Sequence, residues 1–182
     1  MKTVYILLGP KGSGKSHVGR LMESRLGIPF LLTEDIFLQF QKQGLETQDV
    51  YKAGFVETAK TIERLLKTKY ALAFESTGAS PLFFELLESL RLQFDVKLIA
   101  VSASAKVCLT RIRSRDAGVH MPADDALIEK VHRISSGLAL DYDLIIRNEN
   151  LRESEIVELL QSVTPTEQER GAISYYGGEQ DS

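Results

Sequence analysis

Gly9-Pro-Lys-Gly-Ser-Gly-Lys-Ser16 fills every fixed position of the pattern G-x-x-x-x-G-K-[ST]. The pattern has meaning only between a strand and a helix, and this chain supplies both. Thr3-Val-Tyr-Ile-Leu-Leu8, just before it, is a short apolar run rich in β-formers. After Lys15, residues Val18, Leu21, Met22 and Leu26 recur at helical spacing. Gly27 with Pro29 two residues later predicts where that helix stops. The stretch therefore reads as a phosphate-binding loop.

The chemistry of such a loop gives its residues roles. Gly9, Gly12 and Gly14 allow consecutive backbone N–H groups to wrap a phosphate, and the helix opening near Lys15 adds partial positive charge. Lys15 is expected at the β- and γ-phosphates, with the Ser16 hydroxyl on Mg²⁺. Pro10, Lys11, Ser13 and His17 complete the expected nucleotide-binding stretch. The Lys11 side chain is nonetheless read as solvated, and those of His17 and Arg20 as solvent-facing.

At 182 residues the chain is long enough for one well-buried domain. Its net charge of −3 gives no global pull toward nucleic acid or an anionic membrane. Cys108 is the single cysteine, so no intrachain disulfide or cysteine metal cage can form; it reads as a small buried hydrophobe on a helix. No run is long enough to span a bilayer, and the first apolar run is too short for a secretory signal. A cytoplasmic, reducing location is expected.

Short apolar runs alternate with amphipathic segments, the mark of a parallel sheet covered by helices. Strands are expected at Val4–Leu8, Pro29–Leu32, Ala71–Phe74, Val96–Val101 and Leu144–Ile146. Helical faces are expected at Phe55, Ala59, Ile62 and Leu66, at Leu82, Leu86 and Leu90 after a Ser80-Pro81 start, and around Val107 and Ile112. Two more follow: Leu127, Val131 and Ile134 in a helix begun near Asp124, and Ile156, Leu159, Leu160 and Val163 in one ended by Pro165. The fold class is thus α/β, a three-layer α/β/α sandwich on a five-stranded parallel sheet, the phosphate-loop NTPase fold. The domain is expected to span residues 1–163, with a lid segment near 111–125 and a flexible polar tail at 164–182.

In such a sheet, functional groups follow the strands. Thr33-Glu34-Asp35 puts two carboxylates at the rim, and one of them would take a proton from an attacking hydroxyl or hold a water on Mg²⁺. Asp35 is favoured over Glu34, and Thr33 with the acidic turn also reads as a helix start. Glu75, before Ser76-Thr-Gly78, stands where a Mg²⁺ ligand is expected. Arg111-Ile-Arg-Ser-Arg-Asp116 alternates three arginines at a helix end, suited to offset charge on a transferring phosphoryl group from a flap made flexible by Gly118. His120 and His132 read as an exposed flap residue and a structural helix residue.

From Met1 to about Val163 the chain resembles the small phosphate-loop kinases of the shikimate and gluconate kinase type, which share their core with zeta-toxin-like and polynucleotide 5′-kinase domains. The resemblance rests on the loop, the Thr33-Glu34-Asp35 step, the Ser-Thr-Gly turn and the arginine segment. It implies Asp35 near the acceptor hydroxyl, Arg111 near the nucleotide base, Arg115 as a lid arginine and Asn148 against adenine. Two departures weigh against shikimate as acceptor. Shikimate kinases have a triple glycine where this chain has Glu75-Ser-Thr-Gly-Ala, and Gly54-Phe-Val-Glu57 lacks their substrate-holding arginine.

The expected activity is an ATP- and Mg²⁺-dependent kinase reaction, moving the γ-phosphate to a hydroxyl of a small molecule such as a sugar acid, cyclic alcohol or nucleoside. Lys15, Asp35 and Arg115 would be its catalytic residues, with Ser16 and Glu75 on the metal. A polynucleotide 5′-hydroxyl kinase is the alternative, so nucleic acid stays open only as a substrate. A nucleotide-dependent switch is the rival from another class, but the guanine-reading Asn-Lys-x-Asp segment of GTPases is absent. No membrane partner is expected, and the protein is read as a monomer or homodimer.

Overall fold

The computed structural model of the protein describes residues 1–114 and 125–165. Five strands form one parallel sheet in the order β2-β3-β1-β4-β5. They are β1 (Thr3–Leu8), β2 (Phe30–Leu31), β3 (Ala71–Ser76), β4 (Asp95–Ser102) and β5 (Leu144–Arg147). All five lie where the apolar runs predict them. The second is much shorter than expected, because only Phe30 and Leu31 pair with β3 before the chain turns into a helix.

The central strand is apolar throughout because it is covered on both faces. From β1, Tyr5 and Leu7 point to one layer and Val4, Ile6 and Leu8 to the other. The first layer is α1 (Lys15–Leu26) and α7 (Glu153–Gln161), which contribute Val18, Leu21, Met22, Leu26, Ile156 and Leu160. The opposite layer is α3 (Thr47–Leu66) and α4 (Pro81–Arg91), contributing Ile62, Leu66, Phe83, Leu86, Leu87 and Leu90. Helix α1 ends as expected, on Gly27 at φ 65°, whose N–H returns to the Glu23 carbonyl.

Three helices lie at the carboxyl end of the sheet: α2 (Thr33–Lys42), α5 (Ala105–Arg113) and α6 (Asp125–Ser136). Cys108 is buried on α5, as its sequence context suggests. On α6 Ile128 and Ser135 are buried, while the predicted face residues Leu127 and Ile134 are exposed. Leu127, Ile128 and Val131 of that helix line a cavity. Thr164 is buried, and the Tyr5 hydroxyl donates to the Val163 carbonyl at 3.4 Å. Residues 166–182, most of the expected tail, lie outside the described residues, as does 115–124 of the expected lid. Among the described residues no helix is long and apolar enough to cross a membrane.

Candidate functional site

The topology itself places the site. The chain leaves β1 toward β2 and β3 on one side and later crosses to β4 and β5 on the other, which opens a crevice at the carboxyl end of β1. Residues 9–16 fill it. Parallel register sets Leu7 beside Glu75 and Leu8 beside Ser76, and the Gly9 N–H donates to the Ser76 carbonyl at 3.3 Å. Glu75 therefore comes to the loop because β3 is the neighbour of β1.

Within the loop, Gly14 sits at φ 98°, and a Cβ there would lie 2.0 Å from Asn148 Nδ2. Glycine is needed at this point for backbone conformation and for room. Asn148, at the end of β5, donates from Nδ2 to the Ser13 carbonyl at 3.0 Å. Arg111 donates to the Gly12 and Ser13 carbonyls at 3.4 and 3.3 Å, and to the Asn148 carbonyl at 2.9 Å. These two side chains hold the loop from behind, tying it to α5 and β5.

Lys15 is buried, and its Nζ donates to the carbonyls of Gly9 and Pro10 at 2.9 and 3.0 Å. The ammonium is thus held over the loop's own curve. The Ser16 hydroxyl donates to Glu75 Oε2 at 2.8 Å, and Glu75 is buried. A hydroxyl beside a carboxylate is a hard-oxygen pair of the kind a Mg²⁺ ion takes while keeping most of its waters. The residues present fit that ion. Among the described residues no group of three or more His, Cys, Asp or Glu side chains could hold a metal, so a cation here would depend on this pair and on bound phosphates.

A cavity of about 190 Å³ extends from the loop. Gly12, Gly14, Lys15, Ser16 and Glu75 line it. So do Lys11 and Glu34, whose Nζ and Oε1 are 3.3 Å apart. Its apolar lining comes from Phe37, Tyr51 and Phe55 of α2 and α3 and from Leu127, Ile128 and Val131 of α6.

The structure places several of these residues differently from their sequence reading. Lys11 is not solvated but half-buried against Glu34. Of the two rim carboxylates, Glu34 lines the cavity; Asp35 is exposed and lies outside its lining, because one residue along a helix turns the side chain by about 100°. Thr33 does not cap α2; its hydroxyl donates to the Glu75 carbonyl at 2.8 Å and fastens the helix start to β3. Ser80 occupies the N-cap position of α4 without a side-chain cap bond and lines the cavity instead. His17 is exposed, as its side chain was read, 3.9 Å from Glu153.

Arg113 reaches Asp125 at 3.6 Å, so within the described arginine segment only Arg111 touches the loop. Arg115, Asp116, Gly118, His120 and Asp124 lie outside the described residues. The aromatic wall had no single motif to announce it. Its trace is the i, i+4 pair Tyr51 and Phe55, with Phe37 arriving from a different helix.

No family model matches the chain. A cytidylate kinase of Sulfurisphaera tokodaii is 24% identical over 176 residues, covering 87% of this chain and 93% of that protein. An adenylate kinase of Tropheryma whipplei is 34% identical over only 62 residues, 34% of this chain and 33% of that protein. Among solved structures, a candidate kinase from Chloroflexus aurantiacus superposes with a TM-score of 0.71 at 21% identity, covering 90% of this chain and 99% of its own. A shikimate kinase from Acinetobacter baumannii gives 0.59 at 17% identity, over 90% and 93% of the two chains. A gluconokinase from Sinorhizobium meliloti gives 0.58 at 18%, over 97% and 98%. The chain has the fold of the small phosphate-loop kinases, with the loop, the neighbouring carboxylates and the cavity at the carboxyl end of its sheet.

Proposed function

We propose that this protein is an ATP- and Mg²⁺-dependent phosphotransferase that moves the γ-phosphate of ATP to a hydroxyl group of a small molecule. The observation that carries the reading is that Lys15, Ser16 and Glu75 line the same cavity as Glu34 and a set of apolar side chains. A loop that merely held a nucleotide would need only the first group. Here a second carboxylate and an apolar lining share the cavity with the loop.

Each residue then has a task. The loop amides and Lys15 hold the β- and γ-phosphates, the ammonium exchanging the Gly9 and Pro10 carbonyls for charged oxygens, which bind it more strongly. Ser16 and Glu75 would hold Mg²⁺, which offsets charge on the phosphates when bound. Arg111 and Asn148 keep the loop in register from behind. Glu34 accepts the acceptor's proton as its oxygen bonds to the γ-phosphorus. The bond from that phosphorus to the β–γ bridging oxygen breaks, and ADP leaves with the electron pair. Positioning and fixed charge supply most of the acceleration. The lid role that the resemblance implies for Arg115 belongs to this proposal, and Arg115→Ala tests it by kcat.

The test is an ADP-release assay across sugars, sugar acids, cyclic alcohols and nucleosides. Acceptor-dependent ADP formation that falls at least ~10²-fold in Lys15→Ala is expected. Unchanged turnover in that variant would remove the assignment.

A further inference from the structure

Resting on that transfer reading, we infer that the acceptor is an uncharged molecule whose hydroxyl is carried by a flat aromatic or heteroaromatic body. The apolar lining of the cavity is built for such a body. Phe37 lies against Tyr51 and Phe55, with ring centroids 5.8 and 5.3 Å apart and interplanar angles of 55° and 79°. These tilted and edge-on geometries are those that aromatic rings prefer. The placement is enforced: a Cβ at Gly54 of α3 would come within 2.4 Å of the Phe37 ring, so glycine there lets α2 lay that ring on α3.

The cluster is unfinished on its cavity side. Tyr51 is 37% exposed although it lines the cavity. Apolar surface left open in a concave site favours an apolar occupant. A planar ring inserted against this lining would complete the aromatic packing.

The charges agree with this. The cations lining the cavity among the described residues are Lys11 and Lys15, both in the loop at the phosphate end, and Lys11 is paired with Glu34. Arg111 is behind the loop, on the Gly12, Ser13 and Asn148 carbonyls. The uncharged polar side chains lining the cavity are hydroxyls, among them those of Thr58, Thr77 and Ser80. A carboxylate or phosphate on the acceptor's far side would lose its water against phenyl rings, and among the described residues no guanidinium lines the cavity to receive it. Neutral hydroxyl, amide or ring-nitrogen groups would meet hydroxyl partners instead.

Nucleosides and arylalkyl alcohols share this chemistry, and the experiment separates them. Calorimetric titration of the full chain, saturated with a non-hydrolysable ATP analogue, is run with cytidine, deoxyadenosine and 3-phenylpropanol. Gluconate, shikimate and CMP are the charged arm. At least one neutral aromatic alcohol is expected to bind about tenfold more tightly than every charged probe, and Tyr51→Ala to weaken it about tenfold. The ATP analogue's own affinity should stay within about twofold in that variant, which separates lost acceptor packing from misfolding. Phe37→Leu, which keeps an apolar side chain, should give a smaller loss in the same direction. Tighter binding of a charged probe, or no saturable binding of any neutral aromatic alcohol, overturns the inference. Because binding is read without turnover, ADP release that fails while these titrations succeed would instead remove the transfer reading.

Discussion

The Ser16 hydroxyl donates to Glu75 Oε2 at 2.8 Å, joining the first turn of α1 to the end of β3 across 59 residues of sequence. That bond exists because β3 lies beside β1 in the sheet, and parallel pairing sets Glu75 level with Leu7. If the pair is where Mg²⁺ is held, Glu75→Gln should raise the Mg²⁺ concentration for half-maximal turnover by roughly 10–100-fold. Thermal stability should change little, since a glutamine still accepts the Ser16 hydrogen bond. Turnover titrated with MgCl₂ checks it, and an unshifted midpoint would remove Glu75 from the metal.

Glu34 and Asp35 are adjacent, and only Glu34 faces the cavity. Glu34→Gln should therefore lower kcat by about 10²-fold or more while leaving ATP affinity nearly unchanged. Asp35→Asn should cost no more than about twofold, as expected of an exposed residue outside the site. Steady-state kinetics of the two variants, run side by side, decide between them. Equal losses, or the larger loss in Asp35→Asn, would restore the role that the family resemblance implies for Asp35.

Gly14 is a third point of attack. An alanine there would occupy φ 98° and drive its Cβ to 2.0 Å from Asn148 Nδ2. The left-handed backbone costs about 1–2 kcal/mol for a residue with a side chain. Displacing Asn148 from the Ser13 carbonyl adds about 1 kcal/mol. Urea unfolding of Gly14→Ala should thus show a loss of roughly 2–3 kcal/mol. A wild-type midpoint would mean that the loop relaxes freely.

The edge strand β5 offers a test away from the chemistry. Asp143 precedes it, accepts the Leu98 N–H at 2.8 Å and sits 3.2 Å from Lys97 Nζ. The Asp143 hydrogen bond and charge, with Asp95 adding, raise the Lys97 ammonium above its ordinary pKa of 10.5. A raised folded-state pKa means that the pair's stabilisation is complete below 10.5 and is lost as pH rises through the folded value. Asp143→Ala should destabilise at neutral pH by about 1–2 kcal/mol, chiefly through the unpaired Leu98 N–H. It should also flatten the decline in stability on the alkaline side, as measured by urea unfolding from pH 7 to 11.

Periodicity and punctuation made the architecture legible. The five apolar runs, the Gly27 stop and the Ser80-Pro81 start each express a local preference that the folded chain retains. The loop was equally legible, because its residues are contiguous and their chemistry is local. What could not be read was facing. Whether Glu34 or Asp35 enters the cavity depends on how α2 is rotated, which Thr33 sets through the carbonyl of Glu75, 42 residues away. The same holds for α6, whose Leu127 and Val131 line a cavity while Ile134 is exposed.

The amino-acid sequence by itself determined a strand, a glycine-rich loop and a helix with Lys15 and Ser16 at its first turn, since hydrogen bonding and side-chain period act over a few residues. Only the tertiary structure decided that Glu75 would stand beside Ser16, that Glu34 would pair with Lys11, and that Phe37 would meet Tyr51 and Phe55. Those contacts join residues from separate elements. They are set by strand order and by the close approach that Gly54 allows between two helices, neither of which is written in any one stretch of the chain.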